Sequence, residues 1–185
     1  MANIAVAMAD GVADWEIGVV LPAAREWFGD QVAIASIDGQ PLQSIGGLRI
    51  TPEYALSDLA PLEILRGSER WQAGEIPGLS GLLVERVQQQ RPVAAICGAT
   101  LALAYAGLLD ERAHTSNALA FLQEHVVPYA GAAHYRHEKV VSADGVITAP
   151  GTSPVGFALA CMRQLHPERT DTLAQLRGMF AGEFV

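Results

Sequence analysis

Pro92-Val-Ala-Ala-Ile-Cys-Gly-Ala-Thr100 is the segment from which the architecture of this chain follows. The apolar run from Val93 to Ile96 predicts a short buried strand, and Ala99 to Ala106 predict a helix. Cys97 falls between them in the pattern small-x-nucleophile-x-small. A nucleophile elbow needs this pattern because its tight turn leaves no room for large neighbours. The segment therefore predicts a reactive cysteine at a strand-to-helix turn.

The predicted position of Cys97 bears on its chemistry. A thiol at the amino end of a helix meets a backbone dipole that favours the thiolate, so we expect an unusually low pKa. The amide of Gly98 is expected to point at a developing oxyanion. The alternative is a buried core cysteine, since free cysteines are among the most buried residues. Cys161 lies in an apolar helical pattern and is expected to be an inert packing residue.

Strand-like and helix-like segments alternate along most of the chain. The predicted strands are Asn3 to Met8, Gln31 to Ile37, Leu62 to Leu65, Val93 to Ile96, and a hairpin of Lys139 to Ser142 with Val146 to Ala149. The longer predicted helices are Asp14 to Phe28, Leu79 to Gln90, Ser153 to Leu165 and Thr170 to Phe180. This order predicts an α/β three-layer sandwich, with a flavodoxin/Rossmann-like, mostly parallel sheet covered by helices on both faces. Residues 1–185 are expected to form one domain.

Composition and charge argue against several classes of function. The formal net charge is −8 and the sequence has no stripe of Lys or Arg, so nucleic acid and anionic membranes are not expected partners. The uncharged stretch between Arg91 and Asp110 is long enough for a membrane span, but Pro92 and Gly98 interrupt it. A buried strand followed by a buried helix explains it better. Two cysteines and no basic leader favour a cytoplasmic protein with reduced thiols.

Four segments resemble the DJ-1/PfpI superfamily, which has the class I glutamine amidotransferase-like fold. The elbow at Cys97 is similar to that family's cysteine turn. Gly11-Val-Ala-Asp-Trp-Glu16 resembles its first loop, which carries an acidic partner for the cysteine. Leu65-Arg-Gly-Ser68 sits where the family usually has a Gly-Gly oxyanion turn, and Ala149-Pro-Gly-Thr-Ser153 resembles its late turn. The segments occur in the family's order, and the resemblance covers nearly the whole chain.

The resemblance also implies a set of site residues. These are Cys97, Glu16 and Asn117 as catalytic candidates, with Gly67, Ser68 and Gly98 as backbone oxyanion donors. A carboxyl beside a thiolate is a like-charge pair, so one of the two should keep a proton and the pair should titrate as a unit. Glu16 could instead be a first-turn residue that complements the helix dipole. Asp14 is an N-cap candidate for the same helix.

Asn117 is the largest departure from the family pattern. Many hydrolytic members have a histidine at this position, and asparagine cannot shuttle a proton near neutral pH. His114, three residues earlier, is the alternative base, although strand alternation does not favour it. His134 and His137 would point to opposite faces of an extended segment, so a shared metal ion is not expected. We expect neither a metal nor a cofactor.

These residues predict a reactive-cysteine protein of the oxidative or carbonyl stress response. Cys97 would be oxidised, with Glu16 stabilising the product. The expected partner is a small electrophile or oxidant, and the resemblance implies a homodimer. The alternative is an enzyme that works through a Cys97 thioadduct, of the glyoxalase, deglycase or isocyanide-hydratase type. An amidase or peptidase is disfavoured by Asn117, and a ligand-sensing domain would need an appended DNA-binding domain.

Overall fold

The computed structural model describes residues 1–58, 63–65, 71–72 and 74–182. Within these residues the strands β1 to β9 are Asn3–Met8, Gln31–Ser36, Leu42–Gln43, Arg49–Ile50, Tyr54–Ala55, Glu63–Leu65, Val93–Ile96, Val141–Ala143 and Val146–Ala149. The helices α1 to α7 are Asp14–Ile17, Val20–Pro22, Leu79–Gln88, Thr100–Tyr105, Leu119–His125, Pro154–Leu165 and Thr170–Ala181, and a π-helical segment spans Ala23–Phe28.

Seven of these strands form one sheet, in the order β5-β2-β1-β6-β7-β9-β8. All neighbours are parallel except β8 and β9, which form the predicted hairpin. Successive side chains of β1 enter two different cores. Ile4 and Val6 pack with residues of α6 and α7, whereas Ala5 and Ala7 pack with residues of α3 and α4. The predicted α/β fold, a mostly parallel sheet between helices, is confirmed.

The uncharged stretch after Arg91 forms β7 and then α4. All four residues of β7 are buried, and so are five of the six residues of α4. This segment is therefore the buried strand and helix that the sequence predicts. In the part of the chain that the structure describes, no helix combines the length and the apolar character needed to cross a membrane.

The predicted helix from Asp14 to Phe28 is divided in the structure. α1 ends at Ile17, α2 contains only three residues, and the chain then forms the π-helical segment. Pro22 lacks a backbone N–H, and a proline inside a helix interrupts its hydrogen-bond ladder. Apolar spacing continues across such a break, so periodicity predicted one helix.

A buried pair joins the start of the sheet to the end of α6. Nε2 of His166 lies 2.8 Å from Oδ2 of Asp30, and both side chains are almost fully buried. The backbone N–H of Ala2 donates to Oδ1 of Asp30 at 2.7 Å. Asp30→Ala would leave the buried ring nitrogen of His166 and the half-buried N–H of Ala2 without their acceptor. We expect the free energy of unfolding, measured with urea, to fall by roughly 3 kcal/mol.

The matched control for this substitution is Glu168→Gln. The Glu168 carboxylate also approaches His166, at 3.8 Å, but its side chain is 67% exposed. An exposed pair of this kind contributes little, so the control should change the free energy of unfolding by less than about 0.5 kcal/mol. Equal effects of the two substitutions would contradict the structural role given to Asp30.

Candidate active site

Three loops meet at one edge of the sheet. They leave the carboxyl ends of β1, β7 and β9, which together with β6 are consecutive strands. The loop after β1 leads to Glu16, β7 leads directly into Cys97, and the loop after β9 contains Gly151. Carboxyl ends of parallel strands lie at the same edge, which is where such sheets bind ligands. Gly67 and Ser68, expected at this edge after β6, lie outside the described residues.

Cys97 occupies a sharp turn between β7 and α4. Ile96 is extended, Cys97 has a φ of 59°, and a 3₁₀ turn over Cys97–Ala99 leads into the helix. A left-handed backbone costs a residue other than glycine about 1–2 kcal/mol, so the surrounding structure must hold it. The hydroxyl of Thr100 donates to the carbonyl of Cys97 at 2.7 Å. The predicted strand-to-helix elbow is confirmed.

Asn117 lies beside the sulfur and is held in a defined orientation. Its Nδ2 donates to Sγ of Cys97 at 3.3 Å, while its Oδ1 accepts the backbone N–H of Gly151 at 2.9 Å. The second contact settles which end of the amide faces the thiol, because the oxygen must point at an N–H donor. Asn117 therefore presents a hydrogen-bond donor to the sulfur and no base.

Several hydrogen bonds attach the segment before Asn117 to the rest of the fold. The backbone N–H of Thr115 donates to Oγ1 of Thr148 on β9 at 2.9 Å. The hydroxyls of Ser116 and Thr100 lie 2.6 Å apart. Because Thr100 also bonds to the Cys97 carbonyl, the elbow and the segment carrying Asn117 share one buried network.

His114 does not take part in this arrangement. Its Nδ1 contacts the carbonyl of Arg112 and its Nε2 contacts the hydroxyl of Tyr129, both at 2.7 Å. The side chain is fully buried, and this burial lowers its pKa. Both ring nitrogens are thus engaged away from the sulfur, so Asn117 and not His114 stands next to Cys97.

Gly151 covers the sulfur from the opposite loop. A Cβ at this position would lie 2.9 Å from Sγ of Cys97 and 3.0 Å from Oε1 of Glu16. The indole N–H of Trp15 donates to the Gly151 carbonyl at 3.1 Å. Gly151 therefore joins Trp15, Asn117 and the thiol through its backbone, and only a glycine allows this approach. The sequence singled out the turn but not this contact, nor Trp15.

Glu16 is 1% exposed and reaches the sulfur from α1. Its carboxyl adjoins the Cys97 thiol, since a Cβ on Gly151 would lie within 3.0 Å of both Oε1 of Glu16 and Sγ of Cys97. The turn that carries Glu16 is tied to the β3–β4 hairpin through Asp14, whose Oδ1 accepts from the Ser44 hydroxyl at 2.5 Å and whose Oδ2 accepts from the Gly46 N–H at 2.7 Å. The Ser44 contact lowers the pKa of Asp14.

The N-cap role expected for Asp14 is therefore wrong. Ala13 occupies the N-cap position and Asp14 is the first residue of α1, without a capping bond. Its carboxylate instead accepts hydrogen bonds from the hairpin, which presents a hydroxyl and an amide donor in a fixed geometry. Asp14 thus fixes the start of the helix from which Glu16 projects.

The acidity expected of the thiol is also wrong. Burial raises the pKa of Cys97 to about 11, and the charge and hydrogen bond of Glu16 raise it further. Hydrogen bonds from Asn117 and the Gly98 backbone lower it, but they do not outweigh burial. The amino end of a helix favours the thiolate, but at Cys97 the cost of burying the charged form is larger. The resting site therefore holds a protonated thiol beside a carboxyl group.

A cleft of about 940 Å³ leads from the surface to Cys97. Its walls include the apolar side chains of Trp15, Val19, Val155 and Phe180, and Lys139 also lines it. Among the residues that the structure describes, no group of three or more His, Cys, Asp or Glu could hold a metal ion. The cleft brings a thiol, a carboxyl and an amide donor to an apolar site.

A family model described as the DJ-1/PfpI family matches residues 2–164. The chain belongs to the DJ-1/PfpI family. A solved DJ-1 superfamily protein, Atu0886 from Agrobacterium tumefaciens, is 37% identical, with a TM-score of 0.90 over 99% of this chain and 100% of that one. Oxidized DJ-1 from Toxoplasma gondii has a TM-score of 0.79 at 18% identity, covering 98% of each chain, and shares the fold.

A curated relative of this DJ-1/PfpI chain bears a name that points to hydrolysis. It is the uncharacterized protease YoaZ of Bacillus subtilis, 30% identical over 88% of this chain and 82% of that protein. Among the described residues lining the cleft of the present family member there is no histidine. The site thus offers Cys97 a carboxyl and an amide, but no imidazole.

Proposed function

We propose that Cys97 adds reversibly to a small electrophilic carbonyl compound, as part of a response to carbonyl stress. The observation that carries this proposal is that the buried Glu16 carboxyl adjoins the thiol at the end of the cleft, where a Cβ on Gly151 would meet both groups. A largely apolar cleft of about 940 Å³ suits a small molecule. A raised thiol pKa means that the sulfur needs a base when it attacks, and Glu16 is placed to act as one.

The addition balances without any group from outside the site. Glu16 takes the thiol proton as the sulfur attacks the carbonyl carbon, and a C–S bond forms. The π electrons of the C=O bond move to the oxygen, which then takes the proton from Glu16. The product is a hemithioacetal, and the carboxylate is regenerated. Asn117 can stabilise the transient negative charge on sulfur through its Nδ2–H.

Oxidation of Cys97 is the second candidate, and the same contact favours it. A protonated Glu16 could donate a hydrogen bond to a sulfinate oxygen on Cys97. Susceptibility to peroxide rises with the thiolate fraction and with exposure, and here burial keeps the thiol protonated. We therefore place addition to carbonyls before oxidation.

Amide hydrolysis fits this site less well than the name of the Bacillus subtilis relative suggests. Cleavage of an amide requires a proton donor for the leaving amine, a role that histidine usually fills in thiol hydrolases. Asn117 occupies the place next to the sulfur and cannot exchange a proton near neutral pH. We expect hydrolysis of casein and of a chromogenic amide to stay near background.

The test compares wild type, Cys97→Ser and Cys161→Ser. Cys161 is the matched control because it is the second cysteine of the chain and is buried on α6, with 2% of its surface exposed. We expect wild type and Cys161→Ser, but not Cys97→Ser, to form an adduct with methylglyoxal, followed by intact mass and by loss of the free aldehyde. An aryl isocyanide, casein, a chromogenic amide and mild peroxide complete the panel.

The outcomes separate the candidates. Cleavage of casein or the amide that disappears in Cys97→Ser would overturn the proposal in favour of a hydrolase. Clean oxidation of Cys97 by peroxide without any adduct would favour the redox candidate. Turnover of the isocyanide alone would keep the thioadduct chemistry but change its substrate.

A further inference from the structure

Lys139 is the only lysine in the chain, and it lines the cleft that contains Cys97. Its side chain makes no hydrogen bond or ion pair with another described residue. Apart from Lys139, the ionisable groups on the described wall of the cleft are the Cys97 thiol and the Glu16 carboxyl. Within the part of the chain that the structure describes, an unpaired cation thus faces the reactive site, and the net charge of the chain is −8.

The two charges occupy different depths of the cleft. Glu16 is 1% exposed and contacts the sulfur, whereas Lys139 is exposed to solvent. A ligand that carries a negative charge is repelled from the inner end by Glu16 and attracted to the outer part by Lys139. Its uncharged end is then the part that reaches Cys97.

The walls of the cleft strengthen this selection. Trp15, Val155 and Phe180 replace water with apolar surface, and charges interact more strongly where less water screens them. The same side chains provide contact area for a hydrocarbon or aromatic body between the two ends. Cleft and charges together fit a molecule with an electrophilic carbon, an apolar middle and an acidic group.

We propose that this cleft selects small electrophiles that carry a carboxylate, with the electrophilic carbon at Sγ of Cys97 and the carboxylate at Lys139. The inference rests on the proposed function, because it names the substrate class of the same thiol. For a carboxylate-bearing aldehyde, the C–S bond forms at the aldehyde carbon and the thiol proton reaches its oxygen through Glu16. The carboxylate keeps its charge throughout.

The experiment uses two alkylating agents of similar size and different charge. 4-(Iodoacetamido)benzoate is an anion and 4-(iodoacetamido)benzamide is neutral, and in both an aromatic ring separates the reacting CH₂ carbon from the end group. In both reactions the sulfur forms a bond to the CH₂ carbon, iodide leaves, and the thiol proton is lost. The measured quantity is the ratio of the two rates at Cys97, followed by peptide mass spectrometry. The ratio cancels any change in the reactivity of the thiol itself.

The variants isolate the charge of Lys139. Lys139→Gln removes it, and Lys139→Arg keeps it. Arg163→Gln is the matched control, because Arg163 is an exposed cation in the last turn of α6, whereas the first turn of that helix lines the cleft. At low salt we expect the benzoate-to-benzamide ratio of alkylation rates to fall roughly three- to tenfold in Lys139→Gln only. About 1 M NaCl should remove the difference.

The failures can be told apart. Equal ratios in wild type and Lys139→Gln at low salt overturn the selection of anions, and the proposed function stands on its own test. A ratio that depends on Lys139, without a methylglyoxal adduct, supports the selection and overturns the carbonyl chemistry. If neither reagent alkylates Cys97, both proposals fall.

Discussion

Glu16→Gln is expected to change two reactions of Cys97 in opposite directions. Alkylation by iodoacetamide near pH 8 should become faster, while addition of methylglyoxal should slow by about 100-fold. The charge of Glu16 raises the pKa of the thiol, and Glu16→Gln removes that charge, so the thiolate fraction increases. Glutamine cannot carry a proton, so the carbonyl oxygen loses its proton donor.

The pH dependence of alkylation tests the first half of this prediction. The pKa of Cys97 is about 11, so the wild-type rate should still rise above pH 9, and the profile of Glu16→Gln should shift to lower pH. Asn117→Ala should shift it to higher pH, because the Nδ2–H of Asn117 stabilises the thiolate. The two substitutions should therefore shift the pH profile of the same thiol in opposite directions.

Two results would contradict the role of Glu16. Identical profiles for wild type, Glu16→Gln and Glu16→Leu would reduce Glu16 to a residue that complements the helix dipole. Alkylation and methylglyoxal addition that rise together in Glu16→Gln would show that thiolate supply limits both reactions. In that case Glu16 would not carry the proton to the carbonyl oxygen.

The elbow and the alternation of strands and helices along the chain were predictable because their signals are local. Small residues on both sides of Cys97 indicate a tight turn, and the alternation of strand-like and helix-like segments indicates a parallel sheet. The break near Pro22 was missed because apolar spacing continues through it. The resemblance placed Glu16 and Asn117 beside the cysteine, and both lie there. Their catalytic roles, the homodimer and the cytoplasmic location stay predictions.

The acidity of the thiol and the role of Gly151 could not be predicted from the sequence. Cys97 is buried by contacts from several loops, and the sequence around residue 97 does not predict these contacts. The bond from Trp15 to Gly151 joins residues 136 positions apart. A glycine in a turn usually indicates a backbone conformation, whereas Gly151 is required because a Cβ there would lie 2.9 Å from the sulfur.

Gly151→Ala should therefore suppress the chemistry of Cys97 while the chain stays folded. The new methyl group would lie 2.9 Å from Sγ and 3.0 Å from Oε1 of Glu16, so something must move. The elbow is held by the sheet, so the turn containing residue 151 should shift. That shift would weaken its bonds to Asn117 and Trp15.

We expect rates of methylglyoxal addition and iodoacetamide alkylation at least about tenfold lower, because a misplacement of about 1 Å at a reacting centre can cost 100-fold. The free energy of unfolding should fall by roughly 1–3 kcal/mol, as for other insertions into packed sites. Gly81→Ala is the matched control, since a Cβ on this α3 residue meets no atom within 4 Å. Its reactivity at Cys97 should equal that of wild type.

A wild-type rate in Gly151→Ala would mean that the turn moves aside without consequence for the sulfur. The contacts of Gly151 with Asn117 and Trp15 would then be structural only. A slow reaction with an unchanged pH profile would indicate that the methyl group blocks the approach of the electrophile. A slow reaction whose profile moves to higher pH would instead show that Asn117 has lost its contact with the thiolate, because that contact lowers the pKa of Cys97.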